Sequence, residues 1–214
     1  MLIDLGLGVR HRNVRYNCRV LCTYKQVIFI RPKMCLANDG LYREARHFTA
    51  WPKKMQTETY YLESIIREVT GQNSVQIGDA ILSTLDTAIS CETCEELFTP
   101  SNPSTYMGLN GCEIFLNSSA SHAELRKLKT RLDLVANSTR KLGGVYVYAN
   151  ATGIDGEARM MFDGSSMILV WYLKFPGYVV QISSQSYAVQ RKSSRTGLPV
   201  LPRAGRGHHG HHRH

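Results

Sequence analysis

No uninterrupted apolar run in the 214 residues approaches the roughly 20 needed to span a bilayer as a helix. The opening Met1-Leu2-Ile3-Asp4-Leu5 has neither a basic start nor a small-residue cleavage site, so it does not read as a secretory signal. Neither GxxxxGK followed by Ser or Thr nor GxGxxG occurs, and the chain carries no recognisable phosphate cradle of its own. Acidic residues are missing altogether from Trp171 to His214. The rest is the composition of a globular protein: 43% hydrophobic, 9% aromatic and 20% charged residues, long enough for one ordinary domain with a core, or one domain plus a tail. A cytoplasmic protein without membrane contact is the expectation.

The formal charge of +9 invites a nucleic-acid reading until it is located. Lys174, Arg191, Lys192, Arg195, Arg203, Arg206 and Arg213 supply +7 of it, and residues 1–170 are nearly neutral. Composition shifts at the same place, to Ser, Pro, Gly and Arg, with five of the eight His residues in the last seven positions. Such a stretch buries too little apolar surface to offset the entropy of ordering it, so disorder is expected over 190–214 and no evolved metal site in the His tract. The expected domains are 1–171, folded, and 172–214, a basic low-complexity tail. Nucleic-acid binding by the tail stays the weaker reading of the charge.

Val14, Tyr16, Cys18, Val20 and Cys22 alternate with polar residues at period two, and Val27 to Ile30 is continuously apolar. The two segments read as an antiparallel strand pair joined around Thr23 to Lys25. Ala80 to Cys91, Glu113 to Leu116, Val145 to Ala149 and Met167 to Val170 read as further strands. From Ser121 a long helix is expected with Leu125, Leu128, Leu132 and Val135 on its buried face, ended by Gly143-Gly144. Strands alternating with helices predict a layered α/β domain.

The six cysteines, at 18, 22, 35, 91, 94 and 112, come without an export signal, which argues against a disulfide framework. Cys91 and Cys94 form a lone CxxC. Zinc would need Cys18 and Cys22 as the second pair, but these sit at core-facing strand positions. Cys94 reads better as a nucleophile. It follows an apolar strand and opens the short segment Glu95 to Phe98 before Pro100, an elbow that exposes a thiol to the positive end of a helix. From position alone a buried structural cysteine explains Cys94 equally well. A protease-like pairing of Cys94 with His122 is the next enzyme reading, weakened by the absence of a local signature. The three Asn-x-Ser/Thr sites at Asn117, Asn137 and Asn150 read as chance matches.

Further residues carry more than spacing. His11-Arg12-Asn13-Val14-Arg15-Tyr16-Asn17-Cys18-Arg19-Val20, Ile30-Arg31-Pro32-Lys33-Met34, Leu36-Ala37-Asn38-Asp39-Gly40, Tyr42-Arg43-Glu44, Cys94-Glu95-Glu96-Leu97-Phe98-Thr99-Pro100, Asn117 to His122 and Arg131-Leu132-Asp133-Leu134-Val135 occur in order. Together they resemble the amidase domain of eukaryotic glutamine-dependent NAD synthetases, of the nitrilase or carbon-nitrogen hydrolase superfamily, over about residues 8 to 170. The resemblance implies a nitrilase-like α-β-β-α sandwich, here expected to be incomplete at both ends. It implies glutamine as substrate and a Cys-Lys-Glu amidase in which a thiolate attacks the amide, a Glu moves protons and a Lys stabilises the oxyanion. By motif match Cys94 is the nucleophile and Lys33 the lysine. Glu95, Ser121 and Arg126 resemble substrate-holding positions, with alignment good to about a residue, and Glu44 is an accessory carboxylate.

The resemblance also implies ammonia supply for the ATP-dependent conversion of deamido-NAD to NAD, and homo-oligomers formed through the amidase domain. No cofactor is expected in this domain; ATP and magnesium belong to a synthetase domain outside the sequence. The family's general-base Glu precedes the His11-to-Tyr16 run, and nothing around Asp4 resembles its motif. The 214 residues alone are therefore expected to be inactive or nearly so. The alternative is a non-catalytic, truncated interaction or regulatory protein.

Overall fold

The computed structural model describes residues 1–155 and 157–171 with their side chains and the backbone of 172, 175–183 and 186–187. The disorder expected over 190–214 lies outside the described residues. Two sheets lie face to face. The first has the order β1-β2-β3-β5-β4, built from Ile3–His11, Val14–Cys22, Val27–Pro32, Thr57–Tyr61 (β4) and Ser74–Gly78 (β5). Only β3 and β5 run parallel. The second has the order β14-β13-β12-β9-β8-β7-β6, from Leu82–Ser83 (β6), Ala88–Thr93 (β7), Ile114–Ser119 (β8), Gly144–Asn150 (β9), Ser166–Tyr172 (β12), Phe175–Ser183 (β13) and Ser186–Tyr187 (β14). A small ribbon, Thr152–Ile154 (β10) with Met161–Asp163 (β11), stands apart.

The expected β2–β3 pair forms, antiparallel, with Arg19 opposite Arg31 and Leu21 opposite Phe29. Its alternation sends Tyr16, Cys18, Val20 and Ile30 to the outer face, where Trp51 and Leu62 from the connections around β4 cover them. Leu21 and Phe29 face inward against Cys91 of β7. β1 was not among the expected strands, although Ile3, Leu5, Leu7 and Val9 alternate. Gly6 and Gly8 stand between them, where a Cβ would come within 3.1 Å of the Arg19 guanidinium and 3.4 Å of the Phe48 ring. Arg12 and Asn13, both at positive φ, make the tight turn into β2.

The expected Ala80–Cys91 block splits into β6 and β7 around a turn in which Thr84 bonds Thr87. β7, β8 and β9 run parallel, so their C-terminal ends share one edge. Helices α2 (Pro103–Leu109) and α3 (Lys127–Leu142) cover the outer face of this sheet, closing a core around Met107, Phe115, Val135, Tyr146 and Leu169. α1 (Ser64–Thr70) buries no side chain.

Two expectations for α3 are corrected. It starts at Lys127 rather than Ser121, because the Ser121 backbone is tied to Asn150 on both its N–H and its C=O, which keeps residues 121–126 out of the helix. Its apolar stripe does not face the core: Leu125 is 99%, Leu128 43% and Leu132 37% exposed. The inward face is Arg131, Val135, Ser138 and Thr139. Burying the Arg131 guanidinium is offset by its bonds to Ser121 O, at 3.1 Å, and to Asp163. The helix does end at Gly143, and Gly144 must be glycine, since at its φ of 73° a Cβ would lie 2.2 Å from Glu113 O.

Candidate active site

The inward parity of β2 and β3 carries polar and charged groups toward the second sheet: Asn17 and Arg19 on β2, Arg31 on β3 and then Lys33 just past its end. Arg31 is wholly buried. It makes a forked contact with Glu96, 2.8 Å from Nη1 to Oε2 and 3.3 Å from Nη2 to Oε1, and lies 3.4 Å from Asp79. Burial alone favours its neutral form, but Glu96 and Asp79 outweigh it and hold the guanidinium charged. Glu96 also accepts from Met34 N at 2.7 Å and Thr93 N at 2.7 Å, and Asp79 accepts from Tyr106 OH at 2.9 Å. This cluster locks the end of β3 to the turn that leaves β7.

That turn is the elbow. The 3-10 helix Cys94–Phe98 follows β7 directly, and Cys94 has φ of +45°, the left-handed region a non-glycine residue enters at a cost of about 1–3 kcal/mol. Its N–H donates to Asn117 Oδ1 at 3.2 Å. The thiol is half-buried and lines a cleft of about 360 Å³ together with Asn17, Arg19, Lys33, Tyr42 and Glu44. Lys33 is 2% exposed, its ammonium bonded to Glu44. Glu44 has two further donors, Asn17 Nδ2 at 2.7 Å and Ala37 N at 2.6 Å. Arg19 is held by Asp4, Nε to Oδ1 at 2.9 Å.

A second, smaller cleft of about 140 Å³ shares Ala37, Tyr42 and Cys94 with the first and adds Glu95, Phe98, Ser121 and Lys127. Ser121 is buried and its hydroxyl has no partner; neither has the buried Tyr148 hydroxyl. Tyr42 bridges the two sheets, donating to Ala120 O at 2.6 Å and accepting from His122 N at 3.2 Å, and burial pushes its pKa up to about 12.

Of the residues expected from the sequence, Cys94, Lys33 and Glu44 meet in the larger cleft, and Glu95 and Ser121 line the smaller one beside Cys94. Arg126 lines neither. It is exposed at the start of α3, and its left-handed backbone, φ of 67°, brings Lys127 to the cleft instead. The Cys94–His122 pairing is not made: His122 Nδ1 lies 2.8 Å from Tyr42 OH and Nε2 2.6 Å from Glu124 Oε1. Cys91 and Cys94 do not act as a pair either, since Cys91 packs between the sheets with Leu21 and Phe29 and burial pushes its thiol pKa up. All six cysteines are free, and no metal-ligand cluster occurs among the described residues. Asn17, Tyr42 and Asn117 were missed as site residues, though Asn17 follows from the polar parity of β2 and the other two lie inside quoted motifs.

A cation and a strained thiol lining one cleft, with the unpartnered Ser121 hydroxyl in the smaller cleft beside that thiol, can support attack on a carbonyl and stabilise the oxyanion that forms. No described helix is long and apolar enough to cross a membrane.

The carbon-nitrogen hydrolase family matches residues 1–172. The chain is 55% identical over 170 residues to the glutamine-dependent NAD(+) synthetase of Dictyostelium discoideum, covering 79% of this chain and 24% of that protein. It is 51% identical over 168 residues to the glutamine-dependent NAD(+) synthetase of Homo sapiens, covering 78% and 24%. Among solved structures, the glutamine-dependent NAD(+) synthetase from Cytophaga hutchinsonii superposes with a TM-score of 0.66 at 32% identity, over 78% of this chain and 26% of that one. The chain thus spans about a quarter of the length of the curated relatives it matches. Two facing sheets, a thiol at the elbow after β7 and a match running from the first residue to Tyr172 place the chain in the carbon-nitrogen hydrolase family.

Proposed function

We propose that this cleft hydrolyses the side-chain amide of glutamine and that the ammonia serves NAD synthesis from deamido-NAD. One observation carries the reading: Lys33 and Cys94, 61 positions apart and on different sheets, line one cleft. That the relatives are glutamine-dependent NAD(+) synthetases supports glutamine as the substrate. Cys94 Sγ attacks the amide carbon, and the Lys33 ammonium faces the oxyanion. The C–N bond breaks as the nitrogen takes the proton given up by the Cys94 thiol and leaves as ammonia, and water then cleaves the glutamyl thioester to glutamate and returns a proton to the thiol. Glu95, Ser121 and the cation beside them, Lys127 rather than Arg126, hold the amino-acid end of the substrate. The forked donors of an arginine are replaced there by a point charge.

Glu44 is an accessory group that orients Lys33. Its three donors commit it to Lys33, Asn17 and Ala37. The described residues offer no other carboxylate in the larger cleft, so the 214-residue chain alone runs this chemistry about a hundred- to ten-thousand-fold below an enzyme with a general base. The exposed Leu125, Leu128 and Leu132 support assembly of copies through this domain.

The test uses a chloromethyl ketone analogue of glutamine on the 214-residue chain, because alkylation needs binding and a thiol but no hydrolysis. Saturable labelling of Cys94, competed by glutamine, is expected. Labelling that does not saturate, or that spreads over Cys22 and Cys35, overturns the reading.

A further inference from the structure

Behind the elbow stands a buried polar chain that the proposed chemistry does not use. Glu92, the penultimate residue of β7, is 1% exposed. Its Oε1 accepts from Tyr146 OH and its Oε2 from Ser104 N at 3.1 Å. Tyr146, on β9, is fully buried, and its oxygen accepts from Asn117 Nδ2 at 3.0 Å. The same Nδ2 reaches Glu92 Oε1 at 3.5 Å. Asn117, on β8, therefore turns its Oδ1 the other way, where it accepts from Cys94 N at 3.2 Å and Ser119 Oγ at 3.0 Å.

The chain has one sense of polarity. Burial, with Glu92 beside it, holds Tyr146 well above the ordinary phenol pKa, so the hydroxyl keeps its single proton. That proton goes to Glu92, and the oxygen can then only accept. It meets the Asn117 NH2, which leaves the Asn117 carbonyl for Cys94. The flipped amide would set NH2 against the Cys94 N–H and lose both bonds. A buried carboxylate is expensive, and a core that only needed filling would be served as well by an apolar side chain. Burial raises the Glu92 pKa while its bonds from Tyr146 and Ser104 oppose the rise, and a carboxylate fits the geometry because it accepts from both.

We propose that Glu92 and Tyr146 are positioning residues for the nucleophile: acting through Asn117, they fix the Cys94 amide and so keep the thiol of the elbow aimed into the cleft. Neither touches substrate. The assignment rests on the reading of Cys94 as nucleophile only in its kinetic part.

The experiment compares the 214-residue chain with Tyr146→Phe, which removes the hydroxyl, and Glu92→Gln, which keeps the shape but brings an NH2 to face donors. Hydrogen exchange at the Cys94 amide is expected to quicken about tenfold in both, while amides of the β7–β8 ladder such as Phe115 stay protected. With the chloromethyl ketone analogue, the maximal alkylation rate is expected to fall about ten- to a hundredfold at an unchanged half-saturating concentration. Unchanged exchange at Cys94 in both variants overturns the proposal, as does an equal loss of ladder protection, which marks a merely structural role. If Tyr146→Phe does not fold, Glu92→Gln decides alone. If wild type itself is not labelled, the glutamine reading fails, and exchange at Cys94 still decides the positioning role.

Discussion

The two sheets contribute unlike halves to one cleft. The first places its polar groups by strand register: Asn17, Arg19 and Arg31 are inward positions of an antiparallel pair whose irregularity lies beyond them, at Leu21/Cys22, and Lys33 stands one residue past the end of β3. The second places its groups by leaving the strand. Cys94 stands at φ of +45° just past β7, and Ser119 to Ser121 leave β8 on bonds that Ser119 Oγ and Ser121 N donate to Asn117 and Asn150. Register needs only correct pairing; an elbow needs neighbours that hold a strained residue in place. The first half is therefore sensitive to anything that shifts a strand, and the second to single hydrogen bonds.

Arg31 joins the halves, and its loss has the largest expected effect on stability. Arg31→Ala leaves Glu96 and Asp79 buried without a counterion and is expected to lower unfolding free energy by about 3–5 kcal/mol in urea titration. Arg31→Met, which keeps the volume, is expected to be nearly as costly, because the carboxylates stay unpaired. Next comes Lys33→Met: alkylation of Cys94 by the glutamine analogue is expected to slow about a hundred- to a thousandfold, with stability measured in parallel. Gly144→Ala probes the entry to β9 and is expected to cost about 1–3 kcal/mol through its backbone conformation, plus the clash with Glu113 O.

A smaller effect separates the core of the first sheet from its cleft. Burial pushes the Cys18 thiol up to about 12 from an ordinary value of 9.0. The folded state thus holds this proton more tightly than the unfolded chain. Its contribution is fully present below pH 9.0 and is lost as pH rises toward about 12, by about 1.4 kcal/mol per pH unit. Cys18→Ala is expected to flatten that slope in denaturation curves between pH 9 and 11. The smallest effect is expected on the exposed stripe of α3, where Leu132→Ala should stay within about 0.5 kcal/mol, against about 2–5 for Met107→Ala in the core.

What the sequence made legible follows the same division. The alternation from Val14 to Cys22 contains both the outer core and, in its polar parity, the inner face of the cleft. The elbow at Cys94 was readable because an apolar strand runs straight into a short helix closed by Pro100. The face of α3 was not readable. Its leucine stripe and its true inward face share Val135, and what turns the helix is a buried Arg131 whose partners, Ser121 and Asp163, lie ten residues before it and 32 after it. The chain from Glu92 through Tyr146 to Asn117 is hidden for the same reason, since its bonds span 29 and 54 positions. β1 was missed because Gly6 and Gly8 weaken strand propensity while serving the close approach of Arg19 and Phe48.

The measurement that bears most directly on the cleft as an amidase site is an acid quench of the 214-residue chain with glutamine, followed by peptide mass analysis and an ammonia assay. A glutamyl adduct on the Cys94 peptide, with ammonia in at least an equal amount and both absent in Cys94→Ala, is the predicted result. Ammonia released equally by Cys94→Ala, or an adduct on another cysteine, would contradict it.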